Sequence, residues 1–87
     1  MRELSLLGRR GCHLCDDMAE ALAPLLLGSS VTLRQLDVDA DPVLARRFGR
    51  HVPVLLADGV VLCAHRLDQA RIDLALTGQA WEPLELD

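Results

Sequence analysis

Gly8-Arg9-Arg10-Gly11-Cys12-His13-Leu14-Cys15-Asp16-Asp17 separates two different hydrophobic periods, and the fold is read outward from it. Upstream, Glu3 to Leu7 is a short, weakly alternating, Leu-rich run that reads as a strand. Downstream, Leu14, Met18, Leu22 and Leu25 recur at helical spacing while Asp16, Asp17 and Glu20 fill the opposite face. The two glycines make the first half of the stretch a loop, and the acidic pair suits the first turn of the helix that follows. Pro24 is expected to kink or end that helix, and Gly28-Ser29-Ser30 closes it.

Beyond it, Val31 to Val38 is β-rich but shifts phase, from Val31 and Leu33 to Leu36 and Val38, as a strand covered on both faces would. Asp41-Pro42 starts a short helix with an apolar stripe at Val43, Leu44 and Phe48, stopped by Gly49. Val52 to Ala57 and Val60 to Ala64 flank Asp58-Gly59, a strong hairpin signal, with Pro53 near the start of the first of them. Asp68 caps a last helix with Leu67, Ala70, Ile72, Ala75 and Leu76 apolar, ended by Gly78. The tail from Gln79 shows no period. The order β-α-β-α-β-β-α predicts one α/β domain over residues 1–87, a three-layer sandwich with a mixed four-stranded sheet and helices on both faces.

Composition narrows the function classes. The 87 residues are 51% hydrophobic, almost wholly aliphatic, with one Trp, one Phe and no Tyr, so stacking platforms for single-stranded nucleic acid are missing. All nine basic residues are Arg and the net charge is −4, which does not indicate a polyanion partner. No run approaches the roughly 18 apolar residues of a membrane span, and Leu4 to Leu7 is too short for a signal peptide. The expected address is the cytoplasm, where three cysteines should stay reduced unless they are catalytic or metal-bound.

Cys12 falls at or just before the first helical turn and Cys15 inside it. Unpaired N–H groups and the dipole at a helix start stabilise a thiolate, lowering such cysteines from about 8.5 to roughly 3.5–7.5. Cys12 is therefore the expected nucleophile, and Cys15, one turn on, the resolving thiol. Arg9 and Arg10 are expected to add positive potential, opposed by Asp16 and Asp17. His13, between the cysteines, would favour a thiolate when protonated, and would otherwise be an exposed turn residue. Cys-x-x-Cys spacing also occurs in zinc sites, but the available set of Cys12, Cys15, Cys63 and His65 lacks a second knuckle, and no metal is expected. Cys63 reads as a small buried strand residue; His51 and His65 read as surface polar residues.

The strand, the Cys-x-x-Cys at a helix start, the Asp37-x-Asp39 unit, Val52-Pro53 and the Asp58-Gly59 hairpin together resemble a glutaredoxin, as far as about Gly78. Gly11-Cys12-His13-Leu14-Cys15-Asp16 is similar, more narrowly, to small bacterial glutaredoxin-like proteins of the thioredoxin superfamily. The resemblance implies thiol–disulfide oxidoreduction, a cis Val52-Pro53 bond facing the cysteines, and a Val52 backbone that pairs with substrate. The family's usual Pro-Tyr between the cysteines is replaced by His13-Leu14. Its Gly-Gly-x-Asp, which holds glutathione, falls on Cys63-Ala64-His65-Arg66, placing His65 and Arg66 in the substrate-binding region. No cofactor is expected, and glutathione only as a weak co-substrate. The expected partners are a disulfide-bearing protein or small thiol substrate and a reductase-driven donor, with the chain a monomer. A redox-sensing or protein-binding module on the same fold without efficient turnover is the alternative, with a zinc or iron–sulfur site at the cysteines a less favoured third.

Overall fold

β1 (Glu3–Gly8) forms where Leu4, Leu6 and Leu7 concentrate, and it becomes an interior strand of the sheet in the computed structural model, which describes residues 1–86. β2 (Thr32–Asp37) lies parallel to it, Glu3 opposite Thr32 through Gly8 opposite Asp37. β3 (Val54–Ala57) runs antiparallel on the other side, and β4 (Val60–Ala64) completes the order β2-β1-β3-β4. The helices are α1 (His13–Leu26), α2 (Pro42–Phe48) and α3 (Gln69–Leu76), with a 3₁₀ turn at Val38–Ala40. This is the thioredoxin-like α/β fold, with the element order read from the sequence.

The side-chain alternation of the central strands divides the core in two. Leu4 and Leu6 of β1 join Met18 and Leu22 of α1 and Ile72 and Ala75 of α3, whereas Leu7 joins Val38, Phe48 of α2 and Val54. Helices therefore cover both faces. A bulge in the β3–β4 ladder pairs Leu55 with Cys63 and Leu56 with Val61, leaving Leu62 as the extra residue. Leu62 and Cys63, adjacent in sequence, thereby both enter the α1/α3 cluster.

Several details differ from the sequence expectation. β2 is an edge strand whose half-buried Leu33 and Leu36 pack against opposite core clusters, as its phase shift implies, but fully buried Val38 belongs to the 3₁₀ turn and not to the strand. α1 runs through Pro24 to Leu26, because Pro24 and Glu20, whose carbonyl loses its partner, are exposed near the helix end where water can replace the bond. Val43 is 55% exposed and Ala70 is also exposed, so neither belongs to its helix's core stripe. Pro53 precedes β3 instead of lying in it. The aperiodic tail packs: the Leu84 N–H donates to the Val61 carbonyl on edge strand β4 at 2.9 Å, Trp81 reaches the α1/α3 cluster and Leu86 the other.

The hairpin tip also anchors the chain start. Asp58, at φ 48°, accepts from the N–H groups of Glu3 (3.0 Å) and Arg2 (3.2 Å). Those bonds, Glu3's first, pull its carboxyl below the usual value of 3.8, and the positive N-terminus adds to the effect. A depressed folded-state value stabilises above 3.8, and the contribution is lost as pH falls through the lower folded value. Asp58→Asn keeps an acceptor and tolerates the backbone, so thermal melts between about pH 5 and pH 2 should show a flatter acid limb in the variant than in the wild type.

Candidate dithiol site

The site begins where β1 ends at Gly8 and α1 starts, with four residues between them. Gly11, at φ +75°, supplies the left-handed turn that a side chain would strain. Cys12 then takes an extended conformation (φ −92°, ψ 105°) as the N-cap of α1, and its Sγ accepts the Cys15 N–H at 3.1 Å. A sulfur thus occupies the place an Asp or Ser oxygen usually fills in capping a helix. Cys12 and Cys15 are joined as a disulfide, Sγ to Sγ 2.20 Å and Cα to Cα 5.2 Å.

The two sulfurs have different surroundings. Cys12 is half-buried at the helix tip, while Cys15 is 7% exposed and packed against Gly8, where an added Cβ would lie 3.1 Å from both its Cβ and its Sγ. A cavity of about 330 Å³ runs past Cys15 between Gly8, Arg10, Asp16 and Asp37. Arg10 is exposed on its rim.

Arg9 is engaged elsewhere. Its guanidinium grips both Asp39 oxygens, at 3.0 and 2.9 Å, and donates to the Gly49 carbonyl at 2.8 Å. The hydrogen bonds from Arg9 hold the Asp39 carboxyl below its ordinary value, and Asp39 raises Arg9 in turn. Its charge is therefore largely met by Asp39, in contrast to the free positive potential expected for it. His13 is 89% exposed, its Nε2 3.6 Å from an Asp17 oxygen one turn along the helix.

The Val52-Pro53 bond is cis, and the buried Pro53 carbonyl accepts the His65 N–H at 2.8 Å. That bond brings the turn after β4 beside the segment before β3. His65 adopts φ 70°, in the left-handed region that favours glycine, and its ring stands edge-on to His51 with centroids 5.6 Å apart. His65 and Arg66 line a groove of about 330 Å³ with Leu14, Asp17, Met18 and Leu67. Leu14, from between the cysteines, is 49% exposed there. Of the expected substrate-binding residues, His65 and Arg66 thus share one groove bordering α1, while Val52 and Pro53 lie outside its lining and connect to it through the Pro53–His65 bond.

Cys63 stands apart from this chemistry. It is 1% exposed in the α1/α3 cluster, its thiol faces the Asp68 carbonyl at 3.9 Å, and burial pushes its pKa up. Among the described residues no group of three or more His, Cys, Asp or Glu is arranged to hold a metal ion, and no helix is long and apolar enough to cross a membrane. Sequence reasoning missed three contributors. Leu14 was read as a core-stripe residue and as half of the replaced Pro-Tyr, not as a groove wall; Asp39 was noticed only as part of Asp-x-Asp; and Gly49 only as a helix stop. No local pattern announces that an arginine 40 residues earlier in the chain binds its carbonyl.

A thioredoxin-like sheet with a cysteine pair at the start of its first helix, together with a cis Val52-Pro53 bond before β3, defines a glutaredoxin-like protein. Residues 3–77 match the model of the glutaredoxin-like domain (DUF836), and the chain belongs to that family. Uncharacterized proteins of Mycobacterium tuberculosis and Mycobacterium bovis are each 33% identical over 75 residues, covering 80% of this chain and 77% of theirs. Among solved structures, protein Ne2328 from Nitrosomonas europaea superposes with a TM-score of 0.78 at 36% identity, covering 86% of this chain and 91% of that one. Protein XcR50 from X. campestris gives a TM-score of 0.69 at 32% identity, covering 88% and 99% respectively.

The contact between Gly8 and Cys15 gives a direct test of the site's packing. Gly8→Ala should destabilise the oxidised protein by about 1–3 kcal/mol, as overpacking does, because the new methyl must displace the Cys15 side chain. Chemical denaturation of the oxidised and reduced forms measures it.

Proposed function

We propose that the chain is a thiol–disulfide oxidoreductase in which Cys12 is the nucleophile and Cys15 the resolving thiol. The observation that carries this reading is the Cys15 N–H donated to Cys12 Sγ at the helix start, with Cys15 itself buried one turn on. A donor aimed at sulfur favours its ionised form, because a thiolate accepts hydrogen bonds far better than a thiol does. The reduced Cys12 thiolate attacks one sulfur of a substrate disulfide and forms a mixed disulfide. The other substrate sulfur leaves as a thiolate and takes up a proton. Cys15 then gives up its proton and attacks Cys12 Sγ, forming the internal disulfide and releasing the second substrate thiol. Two electrons have moved from the protein to the substrate, and a dithiol donor returns them by the reverse exchange.

The Val52 backbone is the proposed docking edge. Its N–H and carbonyl make no hydrogen bond among the described residues, so an extended peptide flanking the target disulfide can pair with them. His65 and Arg66 border the adjoining groove and select against glutathione. Arg66 repels the ammonium of its γ-glutamyl end where the family's acid would attract it, and Cys63-Ala64 put side chains where the family has two glycines and bare backbone. Losing one charge-assisted hydrogen bond costs roughly 1.5–3 kcal/mol, about one to two orders of magnitude in affinity. The substrate is accordingly a disulfide-bearing protein or small thiol compound, the donor a reductase-driven dithiol, and glutathione a weak co-substrate. We assign the protein to a reducing cytoplasm, acting as a monomer without a metal or nucleotide cofactor.

Cys12→Ser should abolish exchange with a model disulfide, whereas Cys15→Ser should accumulate a mixed disulfide on Cys12, both read by intact-protein mass. An adduct trapped by Cys12→Ser and not by Cys15→Ser would reverse the roles. Peptide mapping of the oxidised wild type should find Cys12 bridged to Cys15 with Cys63 free.

Glutathione titrated into the reduced protein should give no saturable NMR shifts at Val52 and Ala64 to Arg66 in the low-millimolar range. Saturation there would show that the substituted corner still forms a glutathione pocket.

A further inference from the structure

The loop that carries Cys12 and the loop that carries Val52 belong to different halves of the chain, and one side chain connects them. Arg9 sits three residues before Cys12, and its own carbonyl accepts the Cys12 N–H at 3.3 Å. Its guanidinium spans to Asp39, in the 3₁₀ turn after β2, and to the carbonyl of Gly49 at the end of α2. From Gly49 the chain turns, with the His51 N–H returned to the Phe48 carbonyl at 2.8 Å, and reaches Val52-Pro53. No strand pairing joins the Arg9 loop to the Gly49–Val52 segment: the β1–β3 ladder begins at Leu7 opposite Val54 and runs away from the site.

We propose that Arg9 is a positioning residue: its fork on Asp39 and Gly49 braces the Cys12 loop against the segment leading to Val52, fixing the distance between the attacking sulfur and the docking edge. This rests on the exchange reading for its consequence, since a substrate held by Val52 must present its disulfide within reach of Cys12. Distance errors are costly in such reactions, where a shift of about 1 Å can remove two orders of magnitude in rate. A planar guanidinium suits the task because its fixed fork serves three acceptors at once, which an ammonium on a flexible stem cannot do. Among the described residues the Arg9 guanidinium bonds Asp39 and Gly49 and neither sulfur, so its effect is geometric.

The test uses Arg9→Ala, Arg9→Lys, Asp39→Ala and the double variant Arg9→Ala/Asp39→Ala in the full chain. Amide hydrogen exchange reads the brace without any turnover. Rates at Gly8 to Cys12 and at Gly49 to Val52 should both rise, by about tenfold in Arg9→Ala, while β1 and β3 amides stay protected. In kinetics, Cys12 should react with a small aromatic disulfide at an unchanged rate in Arg9→Ala and Arg9→Lys. With a peptide disulfide that spans Val52, kcat/KM should fall about tenfold in both. The double variant should be no worse than Arg9→Ala, because the two side chains act as one unit. Full peptide activity in Arg9→Lys, or equal slowing with both substrates, would show a charge effect on the thiolate and overturn the brace. Faster exchange confined to the Cys12 loop would overturn it too. A wild type inactive toward both disulfides would refute the exchange reading, with the hydrogen-exchange result still deciding whether Arg9 joins the two loops.

Discussion

The structure depends on the passage from the end of β1 to the start of α1 in four residues. β1 is hydrogen-bonded on both sides, so its end cannot move without disturbing β2 and β3. α1 is held by Met18 and Leu22 against Leu4 and Leu6 of that same strand. With both ends fixed, the connecting residues have little freedom: Gly11 takes a left-handed turn, Cys12 caps the helix, and Cys15 lands against Gly8. The spacing of the cysteines and the absence of a side chain at Gly8 are parts of one constraint. Any residue larger than glycine at position 8 meets the inner sulfur.

That constraint explains why an almost wholly aliphatic chain can hold a precise site. The strands contribute leucines to both faces in strict alternation, and the one large interruption is the bulge at Leu62. The bulge changes which face Cys63 meets. It puts the third thiol in the α1/α3 core, where burial raises its pKa and keeps it a thiol. An odd number of cysteines therefore coexists with a single disulfide, because packing separates the third from water and from the helix terminus.

Local signals in the sequence were enough for the element order and for the cysteine pair. Helix periodicity in Leu14 to Leu25, the Asp41-Pro42 start and the Asp58-Gly59 turn each depend on neighbours within one or two turns, and the corresponding elements form. Errors arose where the deciding partner is distant. The packing of the tail depends on the free carbonyls of β4, so Trp81, Leu84 and Leu86 carry no period of their own. Arg9 was legible as a charge beside the cysteines but not as a ligand of Gly49, because side-chain reach across the fold leaves no trace in spacing.

The charges near the pair can now be ordered by what meets them. Arg9 is met by Asp39 and His13 faces Asp17, which leaves Arg10 opposed by Asp16 and Asp37 around the cavity beside Cys15. Their fields at Cys12 oppose one another, and both Arg10 and Asp16 are exposed to water, which weakens each. The Cys15 N–H, at 3.1 Å from Cys12 Sγ, is neither cancelled nor screened. In the exchange reading, the ionised form of Cys12 is therefore stabilised mainly by backbone, and its reactivity depends on α1 keeping its first turn. The residues that hold that turn, from Gly8 to Gly11, matter more to the chemistry than the charges that surround it.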